Sequence, residues 1–230
     1  MEEKLEALTH YSMSVIGGFF GGFAVWNFMA TLGNAQTANM IEMVTDIVGG
    51  NFLELMERAV GFFIYLLGFA LSVALKRIDK INIKYFSVIF DTIAILILAI
   101  FPHKNENIVI SLYPIFFAMS FQWSVFSGAY GYSSSSIFST NNLRQFSTAV
   151  FEYLFNKDKS YIKKASFYGK TLLSYHFGVF LACIASVYLG ILGVLLGLLP
   201  IAISAFLIVK DSDFKVNKNV DIDLKAFEKY

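Results

Sequence analysis

Two short polar strings interrupt an otherwise apolar chain. Asn34-Ala35-Gln36-Thr37-Ala38-Asn39 and Ser139-Thr140-Asn141-Asn142 carry amides and hydroxyls, which donate and accept hydrogen bonds but do not titrate near neutral pH. Such groups are suited to contact a polar or charged solute. The residues after each string are apolar at helical spacing. Met40, Met43, Val44 and Ile47 share one face with Glu42 and Asp46 opposite, and Leu143, Phe146, Val150, Phe151 and Leu154 form a similar stripe opposite Arg144 and Glu152. Each string therefore opens a short amphipathic helix, with Thr37 or Ser139/Thr140 near its N-cap. Two readings follow. The helices re-enter a membrane and aim their free N–H groups and positive dipole ends at a solute, or they lie at the membrane surface and the Thr and Asn side chains cap them.

Ionisable groups inside apolar segments are costly and mark function by default. Asp91 lies seven residues beyond Lys84 and His176 six beyond Lys170, roughly 10 Å along a helix at 1.5 Å per residue. The two can pair as a proton relay, or each can bond locally. Asn27 and Gln122, beside Trp26 and Trp123, either line a pathway or tie helices together. The candidate solute-binding set is Asn34, Gln36, Thr37, Asn39, Gln122, Ser139, Thr140 and Asn142. No H-E-x-x-H, G-x-S-x-G or nucleotide-binding glycine loop is present. The expectation is a protein without catalytic residues, a Ser/His hydrolase using His176 being the one enzymatic alternative. A lone cysteine, Cys183, excludes an internal disulfide or multi-cysteine metal site, and neither metal nor cofactor is expected.

The elements that position these residues follow from composition. Hydrophobic residues make up 57% of the 230 and charged ones 15%, with 25 Phe, 12 Tyr and only 3 Pro, which excludes disorder and an ordinary soluble domain. A net charge of +1 gives no reason to expect a nucleic-acid partner. Six segments approach the roughly 20 apolar residues that cross a bilayer: 11–31, 59–75, 85–101, 108–128, 171–189 and 190–209. The last two share one apolar run, which a tight turn near Leu189 to Ile191 must divide. Pro114 should kink the fourth segment. Gly190, Gly193 and Gly197 read as a packing face. Ser133 to Ser136 form an irregular stretch, lining a vestibule or a plain loop, and 156–170 is a basic loop. Residues 211–230 read as a solvated tail with a short helix at 221–229. Of the 18 Lys and Arg residues, only Arg58 and Lys104 fall on the side away from the N-terminus, so both termini are expected in the cytoplasm.

The chain also repeats itself. An offset of 103 places Thr37 on Thr140, Asn39 on Asn142, Phe23 on Phe126 and Phe52 on Phe155. A further shift of seven aligns Tyr65, Gly68 and Leu71 with Tyr175, Gly178 and Leu181. Each repeat, about 11–101 and about 108–209, holds three spans. An odd number makes the halves inverted, an architecture shared by secondary transporters and channels.

The same residues carry a family resemblance. Asn34-Ala35-Gln36-Thr37-Ala38-Asn39 resembles the N-x-Q-T-G-N motif of the YoaK-like bacterial membrane proteins, a domain of unknown function (1275). Phe117-Ala118-Met119-Ser120-Phe121-Gln122 and Ser139-Thr140-Asn141-Asn142-Leu143-Arg144 resemble that family's A-M-x-x-Q and T-G-N-L-R patterns. The likeness covers roughly 12–209 and implies six spans in a bacterial cytoplasmic membrane, with no established activity. Ala38 and Asn141 stand where the family usually has glycine. The family's G-x-x-D-A acid has no counterpart in Gly22-Phe23-Ala24-Val25-Trp26, and the segment before Asn34 is shortened.

The expectation is thus an all-α polytopic membrane protein of six helices in two inverted three-helix repeats. It would move a small polar or anionic solute, as transporter or channel, through a site at the repeat interface. The alternative is a non-transporting scaffold or sensor. The expected partners are the lipid bilayer and that solute, with a homo-oligomer left open.

Overall fold

The computed structural model describes residues 2–28, 33–78, 81–101 and 108–227, with side chains placed as far as Ser212. The chain is almost wholly helical: α1 (Glu2–Asn27), α2 (Thr37–Gly49), α3 (Phe52–Lys76), α4 (Ile83–Ile100), α5 (Ile108–Ser111), α6 (Tyr113–Val125), α7 (Thr140–Asn156), α8 (Ser160–Leu189) and α9 (Leu198–Phe227). A 3₁₀ stretch, Gly190–Gly197, joins the last two. Between α6 and α7 lies a small hairpin of β1 (Gly128–Ala129) and β2 (Tyr132–Ser133). Its turn residues Tyr130 and Gly131 both have positive φ, the geometry that matches the twist of paired strands.

Among the described residues three helical runs are long and apolar enough to cross a membrane: Phe52–Lys76, Ile83–Ile100 and Ser160–Ser212. The last, at 53 residues, exceeds any single span and breaks at Gly190, whose φ of 57° suits glycine. The expected break near Leu189 to Ile191 is therefore present. Beyond it Gly193 lies against the Ala185 carbonyl, so the chain folds back on α8. The outward surface is apolar: Phe63, Leu67, Leu173, Tyr188 and Leu199 are all more than half exposed. Contiguous exposed apolar surface of this kind is what a bilayer covers.

Buried inside this shell is α1, and its glycines decide what can touch it. A Cβ on Gly18 would stand 1.8 Å from the Tyr175 carbonyl of α8, and one on Gly17 would strike the Ser136 carbonyl of the segment before α7. Backbone contact along α1 thus depends on missing side chains. Contacts advance together along both chains, from His10 beside Phe167 to Gly18 at Tyr175 and Asn27 at Ser186, so α1 and α8 run parallel. The same holds for α3 and α6, through Gly61 at Phe116, Gly68 at Ser120 and Ser72 at Ser124. By contrast α9 runs against α1 and α4: Ser204 meets Ser12, Gly197 meets Phe19 and Ile95, and Asp211 pairs with Lys84 at 2.8 Å.

Three sequence expectations change at this level. The fourth segment is two helices, because the chain breaks at Leu112 and Pro114 sits in the first turn of α6, where its missing N–H is not needed. That helix ends at Val125, and the hairpin follows. The tail is helical without interruption from Leu198 through Phe227, and Asp211 at its start is buried in an ion pair instead of solvated. The basic loop 156–170 is mostly the first turns of α8, opened by Asp158, whose carboxylate accepts the Ser160 N–H at 2.8 Å. That bond holds its pKa below the usual carboxylate range.

Candidate solute-binding site

Both polar strings fold back into the protein. Asn34 comes seven residues after the end of α1, yet its Nδ2 lies 3.2 Å from the Gly17 carbonyl, ten residues inside that helix. At 1.5 Å per residue the chain has returned about 15 Å along α1. From the opposite end, the segment after β2 also climbs α1. Ser134 Oγ meets His10 Nε2 at 3.0 Å, Ser136 Oγ accepts from Gln122, and the Ile137 carbonyl accepts from Asn34. The two strings therefore meet halfway along α1. From there α2 returns to the start of α3 and α7 to the start of α8, each ending on a left-handed residue, Gly50 or Lys157.

The aligned threonines take equivalent places: Thr37 is the first residue of α2 and Thr140 the first of α7. Neither helix has a side-chain cap, although Gln36 and Ser139 occupy the N-cap positions. The capping role expected of the Thr and Asn side chains is not realised. Asn39 Nδ2 donates instead to Gln36 Oε1 at 3.2 Å, and Asn142 Nδ2 to the Ser135 carbonyl at 2.7 Å while its Oδ1 accepts from Ser134. Backbone angles at Ala38 and Asn141 are not left-handed, so the residues standing where the family has glycine continue ordinary helix.

A cavity of about 870 Å³ opens where the strings meet. Asn34, Gln36, Thr37, Thr140, Asn141 and Arg144 line one part, and Phe62, Tyr65, Phe69, Trp123 and Phe138 much of the rest. Tyr65 and Tyr175 both reach Asn34: Tyr65 through a long bond to its carbonyl (3.5 Å), Tyr175 through its Oη, 3.1 Å from Asn34 Nδ2. The Gln36 side chain is 7% exposed, and its Nε2 has no hydrogen-bond partner. Two uncapped helix starts and Arg144 thus line one space, the unpartnered Gln36 Nε2 is buried in its wall, and no carboxylate is among its described lining residues. That arrangement suits an anion or an acceptor-rich solute.

Of the residues expected to contact a solute, Asn34, Gln36, Thr37 and Thr140 line the cavity. Asn39 and Asn142 stand behind it and hold Gln36 and the 134–138 segment in place. Ser139 is at the N-cap position of α7 and Gln122 is buried, donating to the Met13 carbonyl at 3.0 Å and to Ser136 at 2.9 Å. Gln122 and Asn27, which bonds Ser186, tie segments together. The proposed Asp91–His176 pair does not form: His176 is exposed and bonds the Leu172 carbonyl of its own helix at 2.8 Å, whereas Asp91 is fully buried on α4. Both Asp91 carboxyl oxygens lack a partner, as does Ser87 Oγ one turn earlier. Among the described residues no cluster of His, Cys, Asp or Glu could hold a metal. Sequence reading missed Arg144 and the aromatic wall as lining residues.

Fold and site together define an all-helical protein of membrane character, built around a cavity that two like motifs share. Residues 9–209 match the family described as "Protein of unknown function (DUF1275)", and the chain belongs to that family. No curated protein and no solved structure matches it.

Proposed function

We propose that the protein is a secondary transporter or channel for a small polar or anionic solute, bound in the cavity between its two motifs. The observation that carries this is the convergence of Thr37 and Thr140, 103 positions apart in sequence, as the first residues of two uncapped helices lining one cavity. In this reading α1, α3 and α4 form one half and α6 (with α5), α8 and α9 the other, six spans in all. The parallel pairs α1–α8 and α3–α6 support an inverted relation, since a two-fold axis in the membrane plane would exchange them. Gly68 and Gly178, aligned by the repeat, sit at those two crossings. In the same reading α2 and α7 are re-entrant, the membrane is a bacterial cytoplasmic membrane, and both termini face the cytoplasm. Half-helix starts directed at a midplane site are how inverted-repeat transporters bind anionic groups.

The test is thermal melting of the purified chain against a panel of small anions, amino acids and nucleobases. It would be followed by uptake of any stabilising compound into liposomes. A ligand at 100 times its Kd stabilises the native state by about 2.7 kcal/mol. Gln36→Leu should abolish that stabilisation and the flux together. A panel that stabilises nothing, with no flux, would turn the reading toward a scaffold or sensor.

A further inference from the structure

We infer that the solute is a planar aromatic or conjugated carboxylate, held by its anionic end at the two helix starts and by its flat body against the cavity's aromatic wall. The inference rests on the reading of this cavity as a solute site and names the class of solute.

The two parts of the cavity have different chemistry. At one, α2 and α7 begin without side-chain caps, Gln36 Nε2 is buried and unpartnered, and Arg144 lines the rim. The Tyr175 hydroxyl belongs to this part as well. Asn34 Nδ2 lies 3.1 Å from its oxygen, so the phenolic proton is free to be donated elsewhere. These groups are donors or positive ends, and together they match the oxygens of a carboxylate. An inorganic anion would need only this part.

Much of the rest of the cavity is a chain of four rings, with Phe62, Leu66 and Met40 beside it. Tyr65 and Phe69 lie 5.2 Å apart between centroids, Phe69 and Trp123 5.6 Å, and Trp123 and Phe138 4.7 Å, each pair edge to face. Rings locked against one another present a rigid apolar surface that complements a flat partner. The volume, about 870 Å³, lies within the range of pockets that hold whole organic ligands and far exceeds the needs of a single small ion. Five of the six polar lining residues (Asn34, Gln36, Thr37, Thr140 and Asn141) come from the two polar strings and the wall from α3, α6 and the residue just before Ser139. The donor end and the wall are therefore fixed by different elements.

Trp123 is one of only two tryptophans, and the other, Trp26, is exposed on α1 and not among the lining residues. In full-length Trp26→Phe protein in detergent, tryptophan emission therefore reports the cavity wall. Benzoate, cyclohexanecarboxylate, benzamide and inorganic phosphate would be titrated while emission is followed, with melting of the unmodified chain measured alongside. Benzoate should change Trp123 emission saturably and raise melting. Cyclohexanecarboxylate and benzamide should bind at least tenfold more weakly, and phosphate should do neither. Arg144→Gln should weaken benzoate at least tenfold and leave benzamide unchanged. Phosphate or cyclohexanecarboxylate binding as tightly as benzoate would overturn the aromatic class while leaving an anion site in place. If benzoate and every other anion tried left both emission and melting unmoved, this inference and the solute-site reading would fall together.

Discussion

The residues of the two motifs divide into those that face the cavity and those that hold them there. Asn142 gives two bonds to the 135–138 backbone and takes one from Ser134, which in turn meets His10. Asn142→Leu would strand several of these buried partners, so it should lower stability by about 2–4 kcal/mol, at 1–3 kcal/mol per unsatisfied group. Gln36→Leu loses only the bond from Asn39 and should cost about 1 kcal/mol while removing ligand binding. Melting and ligand titration of the two variants separate the roles; equal effects on binding with no difference in stability would contradict the division. This is also where sequence reading stopped short. Amide and hydroxyl positions were legible as two polar clusters, but which amide turns inward depends on where the backbone doubles back, and no local pattern encodes that. Asp91 shows the same limit. Its apolar surroundings marked it, and the structure leaves both oxygens unpartnered, yet the partner assigned to it faces away. An unpartnered buried carboxyl does not help the fold, so Asp91→Leu should melt at or above the temperature of the unmodified chain. If Asp91 couples solute movement to protons, Asp91→Asn should transport without pH dependence. A large drop in melting for Asp91→Leu would assign it a structural role instead.

At the scale of elements, the apolar runs that fall in α3, α4, α8 and α9 were readable because length and hydropathy alone decide whether a helix can cross a bilayer, whereas the expected first and fourth segments are not among the described helices long and apolar enough to do so. The breaks were partly readable: glycine at the α8 turn and Pro114 at the head of α6 left their usual signatures. The helical tail and the β hairpin were not, since charged alternation and a four-serine run say little about whether a neighbour will cover them. Glycines stand at the crossings of both parallel helix pairs. A Cβ on Gly68 would sit 1.9 Å from Ser120 Oγ, and one on Gly178 2.0 Å from the Val15 carbonyl. Gly68→Leu and Gly178→Leu should therefore force α3 from α6 and α8 from α1. Each should destabilise by about 1–3 kcal/mol or more, the usual range for overpacking. Melting curves would show it, and a neutral Gly178→Leu would mean that α1 and α8 are not in backbone contact.

For the whole molecule the account makes two spatial claims, one about sides and one about the centre. Two lysines stand where α3 ends and α4 begins: Lys76 reaches the Ser124 carbonyl at 2.7 Å and Lys84 pairs with Asp211. With both termini inside, an impermeant thiol reagent on intact cells should label a cysteine placed at Asn105, which lies outside the described residues, and miss one at Ser160. The reverse pattern would reject three spans per half. The claim about the centre is the more searching, because transport rests on one solute touching both motifs. In a Cys183→Ala background, cysteines placed singly at Thr37 and Thr140 would be exposed to a small charged thiol reagent in purified protein, with and without a stabilising ligand. The account predicts that both react in the folded state and that one ligand slows both by similar factors. Protection of one position without the other, or reaction only after unfolding, would contradict a shared central site.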